Sequence, residues 1–293
     1  GGGKLNRYAY DPDAVIEVTQ ELKLYTVCES YLLQQAAVMY HKEHPEVLIT
    51  IQYAYPAYYS EETDYNAVYK GLNTMLMGDS APDILVMDHL NMDSYIEKGL
   101  LADIGEVVNP LEESGALLSG ITGSYVREDG HRYVVPLQFG FTMALGIEIA
   151  QEDMASLEAL ADFLSEKEES YLGPQTVSEL VDKFYPYFCR DMVREKQLDR
   201  EVLGGKLECL KKIADNCGMV DSREKEERCY NMWDLASQAR LAFEEANGFK
   251  NCMFPIAMTD YIMGSFTAYE NSFVPSLQTG IYAKSPYKDT AMD

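Results

Sequence analysis

Basic residues are scarce in this chain: 24 Lys and Arg stand against 48 Asp and Glu, a formal net charge of −24. Such a balance repels a phosphate backbone unless the basic residues cluster, and no run of Lys and Arg is present, which argues against a nucleic-acid partner. Long apolar runs are also missing. The longest are strand-length, far short of the roughly 20 residues that a bilayer span needs. Cysteine is sparse. The six residues (Cys28, Cys189, Cys209, Cys217, Cys229, Cys252) include no CxxC pair, which argues against zinc ribbons and thioredoxin chemistry. Buried or unpaired thiols are expected, with a disulfide among the four from Cys189 to Cys229 left open. The sequence has no GxSxG, HExxH, P-loop or GxGxxG. The carboxylate pair of a glycosidase is defined in space and not in sequence, so that chemistry stays open. Repeats and low-complexity segments are absent.

At 293 residues, with 47% hydrophobic and 25% charged residues, the chain has the composition of a soluble globular protein and is longer than one ordinary core supports, so one large domain or two lobes is expected. The opening Gly1-Gly2-Gly3 lacks a Met and an apolar signal region and reads as a scar of processing.

Leu22 to Val27 alternates as a strand does, and Tyr31 to His44 reads as an amphipathic helix with Leu32, Leu33, Ala36, Ala37 and Tyr40 on one face. Pro45 ends that helix, and Val47 to Tyr53 resumes as a β-branched strand. A tyrosine-rich loop follows. The spacing then predicts a helix from about Asp64 to Met77 with Val68, Leu72, Met75 and Leu76 inward and Gly78 as its stop, a third strand over Ile84 to Met87, and a third helix opened by Asp88-His89-Leu90-Asn91 and ended by Gly99. Strands alternating with helices imply a parallel sheet with right-handed crossovers. Asp129-Gly130 reads as a hairpin turn, and Tyr133 to Pro136 and Gln138 to Ile147 as further strands. From Met154 to about Cys217 the pattern is helical, with Pro174, Pro186 and Gly204-Gly205 as breaks. Asp221 to Arg228 reads as a solvated charged turn, Trp233 to Phe243 has helical spacing, and Met253 to Ala257 reads as a strand.

In an open parallel sheet, ligands bind beyond the carboxyl ends of the strands, where loops and helix N-termini converge with free backbone donors. That rule selects Cys28 to Ser30, Tyr53 to Tyr59 and Asp88 to Asn91. A sugar presents apolar C–H faces that stack on rings and hydroxyl rims that donate and accept hydrogen bonds. The carboxylates, imidazole, amides and phenols of these loops suit such a ligand, and the chain has 22 tyrosines against one tryptophan. Packing is the competing account for any single tyrosine; the group Tyr53, Tyr55, Tyr58 and Tyr59 stands out as a set. His41 and His44 share a helix face but lack a third metal ligand nearby in sequence. Tyr58-Tyr59 invites a ferric reading without placeable partners. Glu61, Glu62 and Asp64 favour the positive end of the following helix.

Four segments in order, LKLYTV with its helix ending HKEHPEVLITIQYA, then YNAVYKGLNTMLMGDSAPDILVMD, then YIEKGLLADI, then DGHRYVVPLQFG, give the chain a family likeness from about Leu22 to Gly140. It resembles the extracellular solute-binding proteins of bacterial ABC transporters, the sugar-binding group that includes maltose-binding protein. The resemblance implies an α/β fold of two lobes, of the type II periplasmic-binding-protein kind. Residues 1–20 would be a leader. Residues 21–137 would form a parallel-sheet lobe, completed by a return segment at about 279–293, and residues 138–278 a helix-rich lobe joined to it by a hinge. GIYAKSPYKDTAMD looks like the return segment. The chain halts at Asp293, where the family continues well beyond, which implies truncation or a shortened member. The family's YYN-like motif is replaced by MALGIEIAQED.

Carried over by position, the first-strand loop corresponds to Glu29 and Ser30, the third-strand loop to Asp88 and His89, and the hinge side to Gln138 and Phe139, with Trp233 in a region of the second lobe where aromatic platforms occur. Tyr55, Tyr58 and Tyr59 are added from the strand-end argument. The implied function is binding of a carbohydrate, an oligosaccharide foremost, between the lobes by hinge closure, with presentation to a transporter permease. The implied protein is a monomer without catalytic residues, cofactor or metal, placed outside the cytoplasm and lipid-anchored or periplasmic. A glycan-acting enzyme, a ligand sensor on the same fold, and ferric-ion binding are the alternatives.

Overall fold

The computed structural model describes residues 17–55, 64–189, 191–194, 197–220, 239–248, 252–253, 256–257, 260, 263–270 and 272–293. The chain divides into two compact units, Gly1–Leu137 with Leu277–Asp293, and Gln138–Ser276.

In the first unit β1 (Gln20–Cys28), α1 (Tyr31–Glu43), β2 (Val47–Tyr55), α2 (Tyr65–Leu76), β3 (Ile84–Val86) and α3 (Met92–Glu97) alternate, followed by α4 (Gly105–Glu113) and α5 (Ser119–Thr122). β1 is flanked by β2 and β3, parallel to both, with Leu24 opposite Ile51 on one side and Ile84 on the other. This is the parallel sheet expected from the β-α alternation. One face buries Leu24, Leu33, Ile84, Val86 and Val108. The other buries Tyr25, Val27, Val68, Leu72, Leu85, Met87 and Tyr95. Helix α2 turns its expected residues inward: Val68, Leu72 and Leu76 are buried. Helix α1 differs. Leu33 is its one buried residue, while Leu32 is 45% exposed and Ala36 is exposed. The inward stripe is therefore Leu33 with the part-buried Ala37 and Tyr40, a four-then-three spacing that a broad apolar helix offers alongside the one expected.

The chain then enters β4 (Val135–Gly146). Gly130, at φ +84°, closes a tight turn in which its N–H reaches the Arg127 carbonyl at 2.9 Å. The strands expected on either side of Leu137 are one continuous strand. Pro136 lies within it, because its fixed φ suits extended chain and only its missing donor is lost.

The second unit contains α6 (Leu157–Ser165), α7 (Val177–Phe188), a short hairpin of β5 (Val193–Arg194) and β6 (Gln197–Leu198), α8 (Arg200–Asn216), β7 (Leu241–Ala246) and β8 (Ser265–Ala268). β4 pairs antiparallel with β7 and β8. The fully buried Tyr269 packs edge-on against Tyr187 and Phe243, at 5.1 and 5.5 Å between centroids, with Phe184 at 5.6 Å. Such pairs add about 0.5–1.5 kcal/mol each beyond area burial.

Three expectations are corrected here. Pro186 lies inside α7 and Gly204-Gly205 inside α8. Helix α7 opens on a capping box between Thr176 and Glu179 and buries Leu180, Phe184 and Phe188, and α8 is capped by Asp199 and buries Leu210 and Ile213, so tertiary packing overrides the local breakers. Leu241 to Phe243, expected as helix, is strand: Leu241 and Phe243 are buried with Ala242 between them, and short apolar runs of this length do not reveal their period. Met253, Ile256 and Ala257, expected as strand, are helical.

The chain returns to the first unit along β9 (Val274–Ile281), whose Ile281 and Gly280 pair antiparallel with Ile84 and Leu85, and ends in α9 (Lys288–Met292). A Cβ on Gly280 would stand 2.8 Å from the Tyr133 carbonyl, so only glycine permits this approach.

Arg132, with its side chain 7% exposed, donates to both carboxylate oxygens of Glu112 and to the Thr122 carbonyl at 2.8 Å. The Thr122 hydroxyl and then Arg132 hold the Glu112 carboxyl below its ordinary range. A depressed carboxylate contributes stability that is present above its unfolded pKa of about 4.3 and is lost as pH falls through the folded value. Arg132→Met is expected to cost about 1–3 kcal/mol by urea denaturation at neutral pH, because the part-buried Glu112 carboxylate loses its charge-assisted bonds. Glu112→Gln should flatten the acid side of the stability curve, and an unchanged slope there would contradict this assignment.

Candidate functional site

β1, β2 and β3 run in one direction and end at Cys28, Tyr55 and Val86, with Cys28 directly opposite Tyr55. Their loops therefore open on one rim, and each leads into a helix capped by its own sequence. The Ser30 hydroxyl accepts from Leu33 N–H at 3.4 Å, Asp64 from Asn66 and Ala67 N–H at 3.0 and 3.2 Å, and Asn91 from Ser94 N–H at 3.0 Å. Asp64 has the capping role expected of it.

Five of the expected site residues, Glu29, Ser30, Tyr55, Asp88 and His89, share this rim. Glu29 accepts from the Gln34 amide at 2.7 Å. The Tyr55 hydroxyl donates to the Asp64 carbonyl at 3.4 Å. Asp88 is the most heavily engaged: its carboxylate accepts from the backbone N–H groups of Leu277 (2.7 Å) and Gln278 (3.1 Å) and from the Gln278 side chain (3.2 Å). Its negative charge also reaches Cys28, whose thiol is pushed up by burial first and by Asp88 second. His89 is exposed and held at φ +64°, a left-handed conformation rare outside glycine.

The rim also holds tyrosines that the loop argument missed. Tyr65 and Tyr69 lie one turn apart at the start of α2. The Tyr65 ring is 5.6 Å from the His89 ring, and the Tyr69 hydroxyl donates to the His89 carbonyl at 2.8 Å. Burial pushes the Tyr25 phenol up, assisted by Tyr95 and Tyr55, and the Tyr95 phenol up, assisted by Tyr69. Five tyrosines and an imidazole thus surround the ends of the parallel strands. The i, i+4 tyrosine pair just after the rim loop was the available signal. A shallow groove of about 450 Å³ runs from Tyr55 down between β2 and α2. A wider concavity of about 1080 Å³ lies at the opposite ends of the strands, beside Lys23 and Asp83. There the Asp83 carboxylate is occupied by Lys23 N–H (2.8 Å) and Ser285 (2.5 Å).

Gln138 and Phe139 belong to the second unit, where Gln138 donates to the Asn247 carbonyl at 3.1 Å and Phe139 packs edge-on to Phe273 at 6.4 Å. A concavity of about 410 Å³ in that unit is lined by Thr142, Tyr187, Phe243 and Glu245. Tyr187 and Thr142 hydrogen-bond each other, and burial pushes the Tyr187 phenol up. Tyr58, Tyr59 and Trp233 lie outside the described residues, as do Glu61, Glu62 and Cys229. Among the described residues, Cys28, Cys189, Cys209, Cys217 and Cys252 form no disulfide with one another. His41 contacts the Val47 carbonyl at 2.7 Å and His44 stacks on Tyr40 at 4.4 Å. Among the described residues no cluster of three His, Cys, Asp or Glu is arranged for a metal.

Capped helices and phenols gathered at the carboxyl ends of a parallel sheet define a ligand-binding α/β protein. Residues 29–182 match the sequence profile of the family described as bacterial extracellular solute-binding protein, and the chain belongs to that family. No curated protein matches it in sequence. Among solved structures it is similar to a sugar transporter from Rhizobium etli in an open conformation (TM-score 0.58, 13% identity, covering 93% of this chain and 74% of that one). It is similar to a family 1 extracellular solute-binding protein from Alicyclobacillus acidocaldarius (0.55, 15%, 94% and 73%). A third is an ABC transporter solute-binding protein from Agrobacterium vitis with bound D-mannitol (0.52, 11%, 94% and 71%). At these identities the likeness is one of fold. Family membership implies a small-molecule solute, an ABC transporter permease as partner and an extracytoplasmic place. No helix among the described residues is long and apolar enough to cross a membrane.

Because the Cys28 thiol is raised by burial and by Asp88, its alkylation by iodoacetamide should have a pH midpoint above that of an ordinary thiol near 8.5. Asp88→Asn should lower that midpoint. A midpoint that does not respond would show that the two groups are not coupled.

Proposed function

We propose that this protein binds an uncharged carbohydrate, an oligosaccharide foremost, at the tyrosine rim of its first unit and delivers it to an ABC-type importer. One observation carries the reading: Glu29, Ser30, Tyr55, Asp88 and His89 share a rim with Tyr65 and Tyr69, combining ring faces with hydroxyl, carboxylate and imidazole edges as a polyhydroxylated ring requires. The sugar transporter and mannitol-bound structures among its fold relatives agree with this reading. Gln138, Phe139, Tyr58, Tyr59 and Trp233 are proposed as further contacts. Hinge closure belongs to the same proposal, since the chain passes between its units only at 137–138 and 276–277. A ligand drives such a change only through greater affinity for the closed form. A monomeric binding protein, held at the surface by a lipid or free in a periplasm, completes the reading.

Thermal-shift measurements against neutral mono- and oligosaccharides, amino acids, polyamines and ferric ion test it. Neutral saccharides are expected to raise Tm, by mass action on the folded state, and Tyr65→Ala to weaken that binding about tenfold. A response to amino acids or ferric ion alone would refute the carbohydrate reading, and release of shortened saccharides would make the protein an enzyme.

A further inference from the structure

Helix α2 carries a glycine that its fold does not require. Gly71 is mid-helix and exposed, and a Cβ built on it meets nothing within 4 Å. Glycine there costs about 0.5–1 kcal/mol relative to alanine, and neither packing nor a left-handed backbone accounts for it. What adjoins it is the groove of about 450 Å³, with Ala67, Gly71 and Met75 on the helix side and Tyr25, Gln52 and Tyr55 on the sheet side. None of the described residues lining this groove is charged, in a chain of which a quarter is charged.

A second observation comes from Tyr25. It lines the groove at 4% exposure, and its hydroxyl has no hydrogen-bond partner among the described residues. Its ring is buried while its hydroxyl is not sealed from solvent, so that oxygen stays available to a guest lying in the groove. A small-residue floor, a tyrosine wall and a phenol awaiting a partner together form a slot for one flat, neutral, hydroxylated ring.

We propose that the groove between β2 and α2 is a subsite for one uncharged sugar unit, stacked against Tyr55 and hydrogen-bonded to the Tyr25 hydroxyl. The proposal rests on the carbohydrate reading of the rim, since Tyr55 belongs to both surfaces. It adds selection by length: a short saccharide fills the rim, and a longer one extends over Tyr55 into the groove. Acidic sugars find no cation there and meet the chain's negative field.

Binding of linear neutral oligosaccharides of two and six hexose units, measured by calorimetry, tests this. Wild-type protein is expected to bind the hexasaccharide more tightly than the disaccharide. Gly71→Leu, which fills the slot from a position with open space, should keep the wild-type Tm or exceed it, leave disaccharide affinity within about twofold, and weaken the hexasaccharide about tenfold. Tyr25→Phe should weaken the hexasaccharide more than the disaccharide. Equal effects on both lengths, no effect on either, or no wild-type preference for length overturns the subsite and leaves the carbohydrate reading standing. Failure of every saccharide to bind overturns both.

Discussion

The carboxylate of Asp88 closes the first unit. Two peptide N–H groups at Leu277 and Gln278, nearly two hundred residues further along the chain, terminate on its oxygens. They fix where β9 enters the sheet beside β3. Charge-assisted bonds to backbone donors are about twice as strong as neutral ones, and here they pair the peptide N–H groups of Leu277 and Gln278. The position of Asp88 at the end of β3 makes the same residue a part of the rim. A side chain read from sequence as a ligand contact therefore already has an architectural task, and any hydrogen bond it offers a solute is additional to three it already accepts.

The β-α alternation of the first unit was legible because each of its signals is local. Ser30, Asp64 and Asn91 cap the helices they precede, and Gly99 adopts the left-handed conformation that ends α3. The inward face of α1 was not legible, because Leu32, Leu33, Ala36, Ala37 and Tyr40 make a stripe too broad to show which edge meets the sheet. In the second unit, breaker residues misled. Pro186 and Gly204-Gly205 are carried inside helices by the buried Phe184, Phe188, Leu210 and Ile213, contacts that no local pattern displays. Of the rim, the residues lying directly after strands could be found by rule. Tyr65 and Tyr69 could not, because they reach it from a helix through their contacts with His89.

The tyrosines of the rim form a graded series. Tyr25 and Tyr95 are buried, with phenols shifted upward by that burial first and then by Tyr95 and Tyr55 for Tyr25 and by Tyr69 for Tyr95, while Tyr65 and Tyr69 are partly open and meet the loop after β3 at His89. The raised phenols of Tyr25 and Tyr95 stay neutral throughout physiological pH. Along the groove, where no described lining residue is charged, that leaves hydroxyl groups without formal charge where a neutral guest would lie.

The left-handed backbone of His89 has a consequence of its own. For a residue with a side chain this geometry lies about 1–2 kcal/mol above the right-handed alternative, and the bond from Tyr69 to the His89 carbonyl returns only part of that difference. The turn after β3 is held in that shape by this bond and by Leu90 N–H on the Met87 carbonyl at 2.9 Å. Glycine in place of His89 would relieve that strain and remove the imidazole with it, so backbone and side chain make opposite demands on this one position.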